Sequence, residues 1–173
     1  MKAKKLIIYI KDSILNLLLN LTSWIPDNPV TCRCRGYIVR LFIKSGKGLE
    51  IGARVKFLYC AGITIGDYVY IAGGCWVSGR GSLNIEDEVV IGPYSIIVTS
   101  NHTFVNGSTR FAPANYAPVR IGRGSWLASH VVITAGTSVG KGNLIAANSV
   151  VTKDTPDNVV VGGIPGKVIG QNT

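Results

Sequence analysis

From Leu49 onward, aliphatic residues return every six positions, and few chain conformations bury side chains with that period. One run is Ile121, Leu127, Ile133, Val139, Ile145 and Val151. An earlier run is Ile65, Ile71, Val77 and Leu83; the phase then slips by two, and Ile85, Ile91 and Ile97 carry on. A small residue often follows the aliphatic one, as at Gly52, Gly92, Gly122 and Ala146. Four positions after it stands another small or branched residue, as at Val55, Val89, Ser95, Ser125, Thr137 and Ser149. A period of six matches neither the 3.6-residue helical turn nor the alternation of one long strand. It matches a short strand plus a turn, three of which close a triangular coil with the aliphatic residues pointing inward. Gly, Asn and Asp suit the corners because they tolerate positive φ. Stacked coils share one core, and each needs its neighbours to bury its apolar side. At about 18 residues per coil, segments 49–103 and 119–163 supply roughly five coils.

The expected architecture is all-β, a parallel β-helix over residues 49–173 with a helical, basic appendage over residues 1–48. Charge follows that division. Residues 1–56 hold 11 Lys/Arg and 3 Asp/Glu, whereas residues 57–173 hold 7 and 6. Nucleic acid binding calls for a more widely basic surface, so no nucleic acid partner is expected. A basic appendage on a near-neutral body suits an anionic surface such as a membrane leaflet, or simply solubility. Leu6, Ile10, Ile14, Leu17 and Leu18 recur at helical spacing after Lys2, Lys4 and Lys5. Lys11, Asp12 and Asn16 interrupt that stretch, which falls short of the ~20 apolar residues of a membrane span. No clear cleavage site marks a signal peptide. An amphipathic helix is expected, lying on a membrane surface or packed against the body or a partner chain. Peripheral contact with an anionic membrane through residues 1–40 is thus one expectation. Cys32, Cys34, Cys60 and Cys75 form no Cys-x-x-Cys pair, and only two histidines accompany them. Neither a metal site nor a disulfide framework is expected; reduced thiols in a cytoplasm are.

The repeat breaks at residues 104–118. Thr109 and Asn115 stand where inward aliphatics are due, and Pro113 and Pro118 interrupt strand pairing. The segment is expected to be an extruded loop, a common seat of function. A tail over 162–173, opening Gly162-Gly163-Ile164-Pro165-Gly166-Lys167, ends the repeats. Histidine is the natural proton acceptor near neutral pH. His102 occupies the last repeat position before the loop, while His130 lies deep in the regular run. By itself, each histidine is more often a surface or hydrogen-bonded residue than a catalyst.

The repeats resemble those of the hexapeptide-repeat acyltransferases, whose coils wind left-handed. An ordered set of motifs narrows the resemblance to the galactoside and maltose O-acetyltransferases of that superfamily. These are His102, the loop, Ile121-Gly122-Arg123-Gly124-Ser125-Trp126, then Val139-Gly140, Ser149 through Pro156, and Gly163-Ile164-Pro165-Gly166-Lys167-Val168. The resemblance implies a left-handed parallel β-helix acetyltransferase using acetyl-CoA, with His102 as catalytic base and His130 as a bystander. It implies that Ser129 and Ala147 meet the pantetheine arm, that Trp126 packs beside it, and that Thr152, Lys153 and Lys167 approach the phosphates. Asn101 and Tyr70 are candidates for the acceptor side. It also implies a homotrimer, in which His102 of one chain works with Trp126 and Lys153 of its neighbour. The sequence departs from the family's Ile-Gly-Ala-Gly-Ser at Ile145-Ala146-Ala147-Asn148-Ser149, where added side chains narrow the space beside the backbone. Trp24-Ile25-Pro26, the basic stretch Arg33–Arg40 and Gly46 through Gly52 resemble the sugar O-acetyltransferases of bacterial surface polysaccharide assembly. The expected acceptor is therefore a sugar or glycan, and the expected place is the cytoplasm, either free or peripheral at the inner face of the membrane.

Three other readings compete. An amino group on an amino sugar or nucleotide-linked amino sugar is an alternative acceptor within the same class. A γ-class carbonic anhydrase shares the helix but needs three histidines for its zinc. A non-catalytic β-helix scaffold is the third.

Overall fold

Three parallel ladders wrap a single column of aliphatic side chains. The computed structural model describes residues 2–172, the side chains of 2–5 excepted, so those of Lys2, Lys4 and Lys5 lie outside the described residues. The first face stacks Lys44–Ser45, Ile63–Ile65, Leu83–Ile85, Val119–Ile121 and Ser138–Val139. The second stacks Glu50–Ile51, Tyr70–Ile71, Val90–Ile91, Trp126–Leu127, Leu144–Ile145 and Val159–Gly162, closed by antiparallel Lys167–Gln171. The third stacks Lys56–Leu58, Trp76–Ser78, Ile96–Ile97, Val132–Ile133 and Val150–Val151. The first rung opens at Lys44, ahead of Leu49. Every inward aliphatic named from the six-residue period is buried.

The slip in phase has a structural cause. Along the edge between third and first faces, Ile65 follows Phe57 by eight positions, and Ile85 follows Val77 by eight. The two extra residues stack directly, with Gly62 packed against the Gly79 carbonyl. In the next coil the same edge extrudes the long arm between Ile97 and Ile121; above that, Val139 follows Ile133 by six.

Ser95, Ser125 and Ser149, predicted small positions, are fully buried and bond the neighbouring coils. Ser125 Oγ donates to the Gly140 carbonyl and accepts from the Asn143 amide. Buried turn amides need such partners. Corner residues are less restricted than expected. Arg54, Tyr68, Glu88, Tyr94 and His130 all hold positive φ, beside Gly48, Gly74, Gly124 and Asn148. Each non-glycine residue there costs roughly 1–2 kcal/mol of steric strain. At the second–third edge, ring stacking of Tyr94 on His130 offsets part of it.

The helices close the base of the prism. α1 spans Lys2–Thr22 and α2 spans Pro29–Arg40. Asn28 caps α2 by accepting from the Val30 and Thr31 amides, with Pro29 opening the first turn. The lowest third-face strand has an open edge, and α1 satisfies it through polar side chains. Asn16 both accepts from and donates to the Phe57 backbone. Asp12 accepts from the amides of Tyr59 and Cys60. α2 lies against the second-face edge, with Gly36 on the Leu49 carbonyl, where a Cβ has no room. Within the basic stretch, Arg33 pairs with Glu50, and Arg35 is buried and bonded to Asp27 and the carbonyls of Thr22 and Ile25.

Candidate active site

The extruded arm begins as an antiparallel hairpin. Ser100, Asn101 and His102 pair with Tyr116, Asn115 and Ala114. Beyond His102, the Thr103 hydroxyl donates to the Pro113 carbonyl and ties the two strands together. The hairpin leaves the body at Thr99, which is fully buried; its hydroxyl donates to the Ser78 carbonyl and accepts from the Gly81 amide. Arg80 braces the root from outside, its guanidinium 4.8 Å from the Tyr59 ring centre and 4.7 Å from that of Tyr116. No sequence spacing marks this brace, because two of the three residues lie in different coils and Tyr116 lies on the arm. His102 and Asn101 project from the hairpin as exposed side chains.

The two histidines differ in surroundings. His130 sits at the second–third edge in left-handed conformation, its ring stacked on Tyr94 at 5.3 Å with 24° between planes. His102 shows no such ring partner and no side-chain hydrogen bond among the described residues. The three buried thiols are poor nucleophiles. Burial pushes Cys75 up to about 11, and pushes Cys60 up further with the Asp12 carboxylate beside it. Burial, followed by the charge of Asp27, raises Cys32.

The coenzyme candidates occupy two edges of one prism. Ser129 and Ala147 stack at the second–third edge, where the Asn148 amide donates to the Ser129 carbonyl. Asn148 replaces the family's glycine at φ 59°, a conformation asparagine tolerates. Lys167 begins the closing strand beside Gly162 on the second face. Thr152 and Lys153 follow the last third-face strand, on the same edge as the arm. Lys153 and Lys167 are exposed, and neither forms an ion pair among the described residues. A ligand meeting the whole set must reach both edges, either across the third face or between two chains. Among the described residues, no three His, Cys, Asp or Glu side chains group as metal ligands.

Tyr70 and Trp126 come together in a cavity of about 610 Å³ between the second face and the α1–α2 turn. Trp24, Asp27 and Tyr94 complete its polar and aromatic wall. Burial raises the Tyr70 phenol, which keeps it a neutral donor. Trp24 and Asp27 were not singled out as cavity residues in the sequence, because the fold of the turn brings them there. Asp27 is fixed by the Arg35 guanidinium at 2.6 Å and by the Ala53 amide at 2.9 Å.

Known proteins share the repeat and the fold. The pattern of the bacterial transferase hexapeptide family (six repeats) matches residues 118–153. An Escherichia coli (strain K12) protein provisionally named as the colanic acid biosynthesis acetyltransferase WcaF is 34% identical over 148 residues, covering 85% of this chain and 79% of that protein. A galactoside acetyltransferase solved in complex with coenzyme A superposes with a TM-score of 0.79 at 26% identity, over 93% of this chain and 82% of that one. The hexapeptide-repeat acetyltransferase VCA0836 of Vibrio cholerae, solved with acetyl coenzyme A, has a TM-score of 0.84 at 23% identity, over 99% and 90%. These likenesses make the prism a left-handed parallel β-helix. By its repeats, its fold and its relatives, the chain belongs to the hexapeptide-repeat acyltransferases and is an acetyltransferase.

Proposed function

We propose that the protein transfers the acetyl group of acetyl-CoA to a hydroxyl of a sugar or glycan in bacterial surface polysaccharide biosynthesis, capsule or O-antigen, with His102 as general base. The observation that carries this reading is the contrast between the histidines: His102 stands open on the arm, whereas His130 is stacked on Tyr94. His102 takes the hydroxyl proton as the oxygen attacks the thioester carbon. The carbon–sulfur bond then breaks, and the protonated imidazole returns the proton to the departing sulfur. The aromatic wall of Tyr70, Tyr94 and Trp126 suits the apolar faces of a sugar ring, with Asp27 available for its hydroxyls. The names of WcaF and of the galactoside enzyme support a glycan acceptor. We place the enzyme in the cytoplasm, in keeping with its donor and with four free cysteines. Coenzyme A release measured against neutral sugars, oligosaccharides and amino sugars tests the acceptor class. Stimulation by hydroxyl-only acceptors is expected; stimulation confined to amino sugars would make the enzyme an N-acetyltransferase.

Lys153 and Lys167, exposed and without an ion pair among the described residues, suit the coenzyme phosphates. Lys153→Ala and Lys167→Ala are each expected to raise KM for acetyl-CoA about 3–10-fold, with added salt shrinking the difference. Unchanged coenzyme kinetics in both variants would remove these lysines from the site.

The outward columns support a homotrimer. Above Glu50 the second face shows Tyr70, Val90, Trp126, Leu144 and Val160, and above Lys56 the third shows Trp76, Ile96, Val132 and Val150. The first face is polar, with Thr64, Asn84, Arg120 and Ser138. Two apolar faces meeting at one edge are covered when the second face of each chain packs on the third face of the next, closing a ring of three. The arm on the third–first edge then borders the neighbour's Trp126 column. Sedimentation is expected to give three times the chain mass, and a fully active monomer would contradict the arrangement.

A further inference from the structure

α1 carries more apolar surface outward than inward. Leu15 and Leu19 are buried, and Asp12 and Asn16 on the same side bond the lowest strand. On the opposite side Leu6, Ile7, Ile10, Ile14, Leu17 and Leu21 form one exposed stripe, with Leu6 and Leu17 each 59% and Leu21 65% accessible. The side facing the body is fixed by those bonds, so the stripe points away from the coils, out of the base of the prism. Packing between prism faces runs sideways and leaves it uncovered. We propose that this stripe seats the base of the protein on an anionic lipid bilayer, with α1 lying in the plane of the surface.

Charge decides between lipid and a second copy. Lys2, Lys4, Lys5 and Lys11 all belong to α1. The only acids among residues 1–48 are Asp12 and Asp27, and both are hydrogen-bonded into the body. Two copies meeting base to base bring their lysines together, and that like-charge contact is unfavourable. An anionic bilayer accepts both the stripe and the positive charge of this segment, because long lysine side chains can bury their stems while the charged heads stay in the polar layer. No described helix is long and apolar enough to cross a membrane, so the helix rests on the surface. The trimer proposed above sets three stripes on one side, where weak attractions add.

The test is co-sedimentation of the full chain with vesicles of phosphatidylcholine alone and of phosphatidylcholine mixed with phosphatidylglycerol. Wild type is expected to pellet with the mixed vesicles, less with phosphatidylcholine alone, and less in high salt. Ile10→Glu/Leu17→Glu is expected to bind the mixed vesicles at least ~10-fold more weakly, because both positions lie on the stripe. Both residues are exposed, so the melting temperature should stay at the wild-type value; if it falls, Ile10→Ser/Leu17→Ser replaces the charged pair. Equal pelleting of variant and wild type overturns the proposal, as does wild type that ignores both vesicle types. If wild type ignores vesicles and the charged variant lowers the mass of the lipid-free protein, the stripe is a contact between copies and the lipid assignment is wrong.

Discussion

His102→Ala is expected to cut turnover by ~10²–10⁴ while leaving KM for acetyl-CoA and the melting temperature near wild type. The fold loses little, because His102 is exposed and joins the hairpin through its backbone pairing with Ala114. The chemistry loses its proton acceptor, since an acceptor hydroxyl attacks a thioester poorly until its proton leaves. No thiol replaces the imidazole by forming an acetyl-enzyme. Cys60, Cys75 and Cys32 have raised pKa values through burial, so they stay protonated and unreactive at neutral pH. Cys34 is exposed on α2, in the base cap and not on the arm. Kinetics should therefore be sequential, with both substrates bound before either product leaves. His130→Ala should leave turnover nearly intact and lose about 0.5–1.5 kcal/mol of stability with the Tyr94 stack. Near-full turnover in His102→Ala, or a trapped acetyl-enzyme, would refute direct transfer.

The coils were legible because each inward position has one place to go. Ile121, Leu127 and Ile133 fall on successive faces and cannot exchange roles without exposing an aliphatic side chain. The slip in phase was visible too, although its meaning was not. Only stacking shows that the extra residues before Ile65 and Ile85 share the edge that later extrudes the arm. The base was the least legible part. Helical spacing of Leu6, Ile10, Ile14 and Leu17 marks an amphipathic helix, and the usual reading buries that face. Here the open edge at Phe57–Cys60 has backbone groups without strand partners, and Asp12 and Asn16 turn inward to bond them. The arm was legible from the broken period and from Pro113 and Pro118, whereas the role assigned to His102 came from resemblance to a family. The cavity wall was not, because Trp24 and Asp27 reach Tyr94 and Trp126 only once the α1–α2 turn is fixed.

That turn depends on one buried side chain, and Arg35→Ala should destabilise the protein by about 3 kcal/mol while loosening the cavity. Arg35 is 1% exposed, and its guanidinium gathers the turn from three directions. It donates to Asp27 at 2.6 Å, to the Ile25 carbonyl at 2.6 Å and to the Thr22 carbonyl at 3.0 Å. Removing it leaves these acceptors short of a donor and opens a cavity beneath α2. Breaking a fully buried pair costs about 3–5 kcal/mol. The Asp27 side chain is 38% exposed and keeps the Ala53 amide, so water recovers part of that and the lower end applies. Arg35 Nε is itself buried without a partner. Neither alanine nor methionine carries such a donor, but the methionine of Arg35→Met fills most of the space that alanine leaves empty and should therefore cost less. Arg35→Lys should fall between wild type and alanine, because one ammonium cannot hold the fork's spread of acceptors. Denaturant unfolding ranks the three. If the turn forms the acceptor site, KM for the acceptor should rise in all three variants while KM for acetyl-CoA stays. A parallel rise in both constants would mean that the turn supports the whole body rather than this cavity, and wild-type stability in Arg35→Ala would remove Arg35 as its anchor.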